Sequence, residues 1–168
     1  QDQRAGVLSI YYARSGDSGA TWSADKKLSA AGKAWNADVA VDGDTVYVVW
    51  QDERDPGGEI YLARSTDDGL TFLAEQRLTT AVRDGERPNL AIDRTHGVHL
   101  VWYDWRDQNP ELYYATSSDF GVTWGQQVRL TNNLTQTGHP VLALDAVDEH
   151  AMLRARPARI RCCFEPKC

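Results

Sequence analysis

Short runs of alternating apolar and polar residues recur along the chain, and this alternation is typical of β-strands with one buried face. Three runs have nearly the same form, at Ile10–Arg14, Ile60–Arg64 and Leu112–Thr116. Each run is followed directly by a cluster of small and polar residues, which is typical of a turn. The pattern therefore predicts an all-β protein built from short strands.

The polar cluster after each run has the same frame, Ser-x-Asp-x-Gly-x-Thr-(Trp/Phe), at 15–22, 65–72 and 117–124. A short Asp side chain can accept hydrogen bonds from nearby main-chain amides, and Gly adopts a positive φ that other residues resist. Thr restarts an extended strand, and the aromatic residue offers apolar surface to a neighbouring sheet. The frame predicts a tight hairpin turn. Its structural residues are Ser15, Asp17, Gly19, Trp22, Ser65, Asp67, Gly69, Phe72, Ser117, Asp119, Gly121 and Trp124.

The spacing of the turns gives the size of the repeat. Asp67 lies 50 residues after Asp17, and Asp119 lies 52 residues after Asp67. This is the period of a four-stranded propeller blade. Alignment of the repeats predicts one complete unit at 37–42, 45–51, 59–65 and 74–79, and a second at 88–93, 98–104, 111–117 and 126–131. Partial units are predicted at 7–15 with 26–29 and at 139–145. For residues 149–155 three interpretations stay open: a strand, a helical turn and a disordered tail.

The turn frame resembles the Asp-box, or bacterial neuraminidase repeat, of sialidases and sialidase-like β-propellers. The resemblance covers about residues 7–145 and implies an Asp-box β-propeller, with each box on the blade face away from the substrate cleft. Two complete and two partial blades make about three, which is too few to close a ring. We therefore expect a homodimer with six blades, and the alternative is a fragment of a longer propeller.

Composition narrows the classes of partner. The net charge is −6, and the last fifteen residues are locally basic, so the rest of the chain is acidic and does not resemble a nucleic-acid platform. The longest apolar run, Val46–Trp50, is too short to span a membrane. All three cysteines, at positions 162, 163 and 168, lie in the tail without metal-binding spacing, so we expect no metal or cofactor. We expect propeller blades over 1–145, and over 146–168 a degenerate strand and basic tail. Secretion is common in the resembled family and implies an extracellular or periplasmic location.

A second frame, Val-Trp-x-Asp-x-Arg-Asp, recurs at 49–55 and 101–107. It falls at the end of a predicted strand and in the loop after it, on the face opposite the repeated turns. One interpretation is a polar carbohydrate site, in which carboxylates and guanidiniums grip hydroxyls and an aromatic ring stacks on a sugar. The candidate ligand residues are Asp52, Arg54, Asp55, Arg87, Tyr103, Asp104, Trp105, Arg106 and Asp107.

The other interpretation of this frame is a loop clamp, in which the Arg bridges its two Asp neighbours. Recurrence in successive units favours the clamp, because a single active site does not need the same triad in every blade. Trp50 and Trp102 lie inside predicted strands and are expected in the core.

The resemblance also implies what a sialidase would need: three arginines for the substrate carboxylate, a Tyr nucleophile with a Glu partner, and an Asp acid. That set does not map onto this chain, where Glu86-Arg87-Pro88 is only a faint echo of the family's Phe-Arg-Ile-Pro motif. We therefore expect a non-catalytic sialidase-like module that binds carbohydrate or acts as a scaffold. The alternatives are a sialidase-like glycoside hydrolase completed in a dimer or a longer chain, and a remnant without a selected ligand.

Overall fold

The computed structural model describes residues 6–30, 32–55, 57–80, 85–132 and 139–144, together with the backbone of 151–154. The secondary structure of these residues is all β, in antiparallel sheets joined by turns and loops. The predicted tail lies outside the described residues, apart from a strand at 151–154. Among the described residues there is no helix long and apolar enough to cross a membrane.

The strands form four sheets in chain order. The first sheet pairs β1 (Tyr11–Tyr12) with β2 (Lys26–Lys27). The second contains β3 (Ala34–Asp42), β4 (Thr45–Asp52), β5 (Glu59–Ser65) and β6 (Gln76–Arg77). The third contains β7 (Gly85–Ile92), β8 (Val98–Asp104), β9 (Glu111–Ser117) and β10 (Val128–Arg129). The fourth pairs β11 (Val141–Leu144) with β12 (Ala151–Arg154).

Both complete four-stranded units are confirmed, and so is a strand within 149–155. The outer strands β6 and β10 are shorter than predicted, with two residues each. The strands β3 and β7 begin three residues earlier than predicted, because a bulge lets pairing continue past the expected start. The residues in these bulges include Asn36 and Arg87, which both have a φ of 51°. A repeated left-handed residue therefore shapes the start of each of these strands.

The core lies between successive sheets. Tyr47, Val49 and Leu62 of the second sheet pack with Leu100 and Trp102 of the third. Similar clusters join the first sheet to the second and the third to the fourth. Trp102 is fully buried, as is its counterpart Trp50, which confirms their expected place in the core. Each complete sheet is thus held by apolar contacts on both faces.

The repeated turns have one hydrogen-bonding scheme. In the second copy, Asp67 accepts a 2.8 Å hydrogen bond from the Thr71 amide, and Ser65 Oγ accepts one of 2.9 Å from the Gly69 amide. The Thr71 hydroxyl also donates to Asp67, and the hydrogen bonds from the hydroxyl and then the amide of Thr71 lower the pKa of Asp67 to about 2. The other two copies have the same bonds. The residue before the Gly also has a positive φ, 58° at Asp68, which the frame did not predict.

The aromatic residues that end the turns differ in burial. Phe72 packs edge-on against Tyr12 of the preceding sheet, with ring centroids 5.0 Å apart. Trp124 likewise packs against the core between the second and third sheets. Trp22, in contrast, is 65% exposed, so the expectation that it is buried is wrong. The described residues include no sheet before β1 against which Trp22 would pack.

Candidate functional site

A pocket of about 310 Å³ lies where the first strands of three successive sheets begin. Its lining residues come from three equivalent segments, at 36–38, 87–89 and 139–141. In the register of the sheets, Trp35 lies opposite Gln51, next to the loop after β4. The pocket therefore opens at the end of the sheets opposite the repeated turns, and we call it the first-strand pocket.

Two side chains in this pocket connect one sheet to the next. Asp38 accepts hydrogen bonds of 2.8 Å from the Asn89 side chain and from the Leu90 amide. Asn89 then accepts a 2.6 Å hydrogen bond from the Leu142 amide in the next sheet. Both residues fix the spacing of the first strands, so the same polar position in two sheets has a structural role.

The remaining polar residues of the pocket are three different side chains at one repeat position: Asn36, Arg87 and His139. Asn36 donates a 3.0 Å hydrogen bond to Gln51. Arg87 is half-buried, and His139 is exposed. An arginine with amide and imidazole neighbours suits a ligand with hydroxyl or anionic groups, because the guanidinium offers several donors in a fixed plane.

The first Asp-x-Arg-Asp loop is held together from within. Asp52 is fully buried and accepts 2.9 Å hydrogen bonds from Trp50 Nε1 and from the Arg54 amide. The Arg54 guanidinium bonds to Asp52 and to Glu75 of the same sheet, and it lies 4.2 Å over the Tyr61 ring. These contacts account for the buried charge of Asp52.

The second loop repeats this arrangement with one change. Asp104 is fully buried and accepts hydrogen bonds from Trp102 Nε1 at 3.1 Å and from the Arg106 amide at 2.9 Å. The Arg106 guanidinium bonds to Asp104, lies 4.2 Å over the Tyr113 ring, and donates a 2.7 Å hydrogen bond to Gln127. A neutral amide thus occupies the place that a carboxylate, Glu75, has in the first loop.

In the predicted clamp the second Asp of each loop bonds to the Arg of that loop. In the structure its partners are other residues. Asp55 accepts a hydrogen bond from Tyr61 and lies 3.4 Å from the Arg77 guanidinium. Asp107 is held in the same way by Tyr113 and Arg129. Burial, and then the hydrogen bond to the Asp, raise the pKa of each of these tyrosines to about 12. In each loop the Arg therefore bonds to the first Asp, and the second Asp is held by side chains from neighbouring strands.

A buried glutamate below each loop was missed by sequence reasoning. Glu59 is fully buried and bonds to Arg77 and to the Thr79 hydroxyl. Glu111 makes the matching contacts with Arg129 and Thr131. The partners of these glutamates belong to an Arg-Leu-Thr segment that recurs at 77–79 and 129–131, and this recurrence could have indicated the buried pairs. The described residues contain no group of three or more side chains able to hold a metal ion.

The two aromatic candidates are not among the lining residues of the first-strand pocket. Tyr103 is fully buried and packs with Leu112 and Leu142, so the core covers its ring. Trp105 is half-buried, and its Nε1 has no hydrogen-bond partner among the described residues. Of the predicted ligand residues, Arg87 lines the pocket, and six others belong to the loop clamps.

The fold is similar to that of a Hadza microbial sialidase, Hz136, with a TM-score of 0.66 and 20% identity over 88% of this chain and 35% of the sialidase. An endo-1,4-beta-xylanase from Bacteroides thetaiotaomicron matches with a TM-score of 0.48 and 19% identity over 73% of this chain and 48% of its own. A glycosyl hydrolase from Bacteroides ovatus matches with a TM-score of 0.38 and 18% identity over 57% and 30%. No protein-family model and no curated protein matches the sequence.

The likeness to Hz136 shows a shared fold: an all-β, propeller-like arrangement of successive antiparallel sheets. The chain spans about a third of the length of that sialidase. The other two matches have TM-scores below 0.5 and do not bear on the fold or the function.

Proposed function

We propose that the chain is a carbohydrate-binding module of the sialidase-like propeller type, with its repeated turns as Asp-boxes and the first-strand pocket as its binding site. The observation that carries the proposal is the meeting of Asn36, Arg87 and His139 at one rim. A sugar presents hydroxyl groups and, in acidic sugars, a carboxylate. Amide, guanidinium and imidazole groups bind both through directed hydrogen bonds.

Binding rather than hydrolysis fits the carboxylates of this pocket. Glycoside hydrolysis most often uses two carboxyl groups on opposite sides of the scissile bond. Among the described residues, Asp38 is the one carboxylate that lines the pocket, and it already accepts two hydrogen bonds that hold the first strands together. The pocket therefore offers donors for a ligand and lacks a free pair of carboxylates for the reaction.

The buried loop clamps have a supporting role in this proposal. Asp52 and Asp104 are fully buried and bonded to Trp and Arg neighbours, so a ligand would have to displace these bonds to reach them. This displacement would leave a buried charge unpaired, which costs several kcal/mol. We therefore assign ligand contact to Arg87 and the shape of the rim to the clamps.

A glycan array followed by calorimetry tests the proposal, with Arg87→Asn as the variant. Asn tolerates positive φ and occupies the equivalent bulge position as Asn36, so the backbone is preserved. We expect the variant to fold normally and to bind the best glycan at least tenfold more weakly. The matched control is Arg94→Ala, an exposed arginine in the turn between β7 and β8 at the other end of the sheet. The proposal would be refuted if the protein bound no glycan on the array, or if Arg87→Asn bound its glycan with unchanged affinity.

A second candidate function is a sialidase-like glycoside hydrolase whose site needs further sheets. The observation in its favour is that the chain spans 35% of a sialidase of similar fold. Turnover of a fluorogenic sialoside by this chain would support it, and no turnover at high protein concentration would exclude it for this chain. By the same resemblance we propose an extracellular or periplasmic location, which cell fractionation would test.

A further inference from the structure

One first strand exposes apolar residues that the others bury. Val39, Leu90 and Leu142 occupy the same position in the first strands of three successive sheets. Leu90 is 6% exposed and Leu142 is 7% exposed, whereas Val39 is 55% exposed. Val41, two residues later on the same face of β3, is 60% exposed. The difference lies in what precedes each strand, because the strands themselves are alike.

Leu90 is covered by the first two strands of the sheet before it, where Ala40 and Val49 belong to the same core cluster. The sheet before β3 contains only β1 and β2 among the described residues, and these correspond to the third and fourth strands of a complete sheet. Where first and second strands would lie, there is a groove of about 380 Å³. Ile10–Ala13, Ala37–Val39 and Val48 line it, and we call it the β1–β3 groove.

We propose that a second copy of this chain fills the β1–β3 groove with its β11–β12 pair. These two strands correspond to the first and second strands of a complete sheet, which are the two that the groove lacks. The composite sheet has the order β11-β12-β1-β2, the same as in the two complete sheets. Reciprocal docking of two chains gives a two-fold symmetric ring of six sheets, four of them complete within a chain and two composite.

The exposed turn residue Trp22 fits the same interface. Its counterpart Phe72 packs on the third strand of the sheet before it, at Tyr12. In the dimer, the sheet before the composite one is the partner's complete sheet β7–β10, so Trp22 gains an equivalent neighbour. A stable protein interface is built on such apolar surfaces, which are rarely left open to water.

The register of the composite sheet follows from the complete ones. Val48 lies opposite Ala63 in the second sheet, and Leu100 lies opposite Ala115 in the third. The residue of β12 equivalent to Leu100 is Leu153, which pairs with Leu142 of β11. Since Ala13 is equivalent to Ala115, the proposal places Leu153 of one copy directly opposite Ala13 of the other.

Disulfide cross-linking between two singly substituted proteins tests this register. Ala13→Cys and Leu153→Cys are made in a background with Ser at positions 162, 163 and 168, then mixed and oxidised. Directly opposed positions in antiparallel strands have Cα separations that a disulfide can bridge. We expect a cross-linked dimer from this mixture. Met152→Cys is the matched control and should cross-link poorly with Ala13→Cys, because neighbouring strand positions lie on opposite faces.

Sedimentation velocity of the whole chain tests the apolar contact. We expect a species of twice 18.8 kDa. Val39→Asp should weaken dimerisation at least tenfold, whereas Val122→Asp, at an exposed valine in a repeated turn, should leave the affinity of the dimer unchanged. Val39 is exposed within one chain, so Val39→Asp should leave the folded monomer intact by circular dichroism. A monomer at all concentrations would overturn the proposal. A dimer whose affinity is unchanged by Val39→Asp and that gives no cross-link would overturn the proposal as well. None of these measurements uses a carbohydrate, so their failure is distinct from failure of the proposed function.

Discussion

Asp104 is a buried carboxylate on which three donors converge, from Trp102 Nε1 and from the amide and guanidinium of Arg106. Asp104→Asn keeps the shape of the side chain but removes its charge and turns an amide NH₂ toward groups that themselves donate. Neutralising one partner of a buried ion pair costs about 3–5 kcal/mol. Arg106 retains Gln127 and the Tyr113 ring, so we expect the lower end of this range. A loss of about 3 kcal/mol should lower the Tm by about 6–12 °C in a chain of this size.

The first loop supplies a matched comparison. Asp52→Asn removes the same buried charge, but Arg54 keeps its ion pair with Glu75. Arg106, in contrast, keeps only a hydrogen bond to the neutral Gln127 as its second polar contact in the described residues. We therefore expect Asp52→Asn to cost about 1 kcal/mol less than Asp104→Asn. Urea unfolding followed by tryptophan fluorescence gives both free energies, and Gln127→Glu should restore part of the loss in the Asp104→Asn protein.

Two outcomes would refute this reasoning. If Asp104→Asn changes the free energy of unfolding by less than about 0.5 kcal/mol, typical of a surface substitution, the loop does not act as a clamp. If Asp104→Asn has this small effect on stability and also abolishes glycan binding, Asp104 belongs to the ligand site instead. If Asp52→Asn costs as much as Asp104→Asn, the Glu75 ion pair does not compensate as we infer.

Two further predictions concern the repeated turns. The three turn carboxyls have pKa values of about 2 in the fold against an ordinary 3.8, so the stability they contribute is complete above pH 3.8 and is lost as the pH falls toward 2. NMR titration checks this, with Thr71→Val expected to raise the pKa of Asp67 alone, and a native pKa near 3.8 would contradict it. Gly19→Ala should cost about 1 kcal/mol for its positive φ, whereas Gly69→Ala should cost more, because its Cβ would lie 2.1 Å from the Tyr12 hydroxyl. Equal losses in urea unfolding would show that Tyr12 moves aside freely.

The strands and turns could be predicted from the sequence because their signals are local. Apolar alternation marks β4, β5, β8 and β9, and the turn frame contains both the Asp acceptor and the Thr donors that it binds. The bulges could not be predicted in this way. Asn36 and Arg87 have a positive φ because pairing with the second strand continues beyond them, and their own residue types do not require it.

The loop clamps were predicted in outline and missed in detail for a related reason. The frame contains the first Asp and the Arg, but the second partner of each Arg lies 21 residues later, immediately before the outer strand. Glu75 and Gln127 share this spacing in the two copies, so the repeat itself held the information. Pairing distant positions of like type between units would have found these partners, as well as Glu59 with Arg77 and Glu111 with Arg129.

Internal repetition also separates structural positions from the candidate site. Asp52 and Asp104 recur because every complete sheet must close the same loop, and each carboxylate forms its hydrogen bonds with residues of its own sheet. One ligand is asymmetric, so the side chains that contact it need not repeat. The repeat position of Asn36 and Arg87 meets this condition, since together with the equivalent His139 it brings three different side chains to one pocket, while Asn36 and Arg87 share the same φ of 51°. The place where the fold repeats and the chemistry does not is therefore where ligand contact is expected.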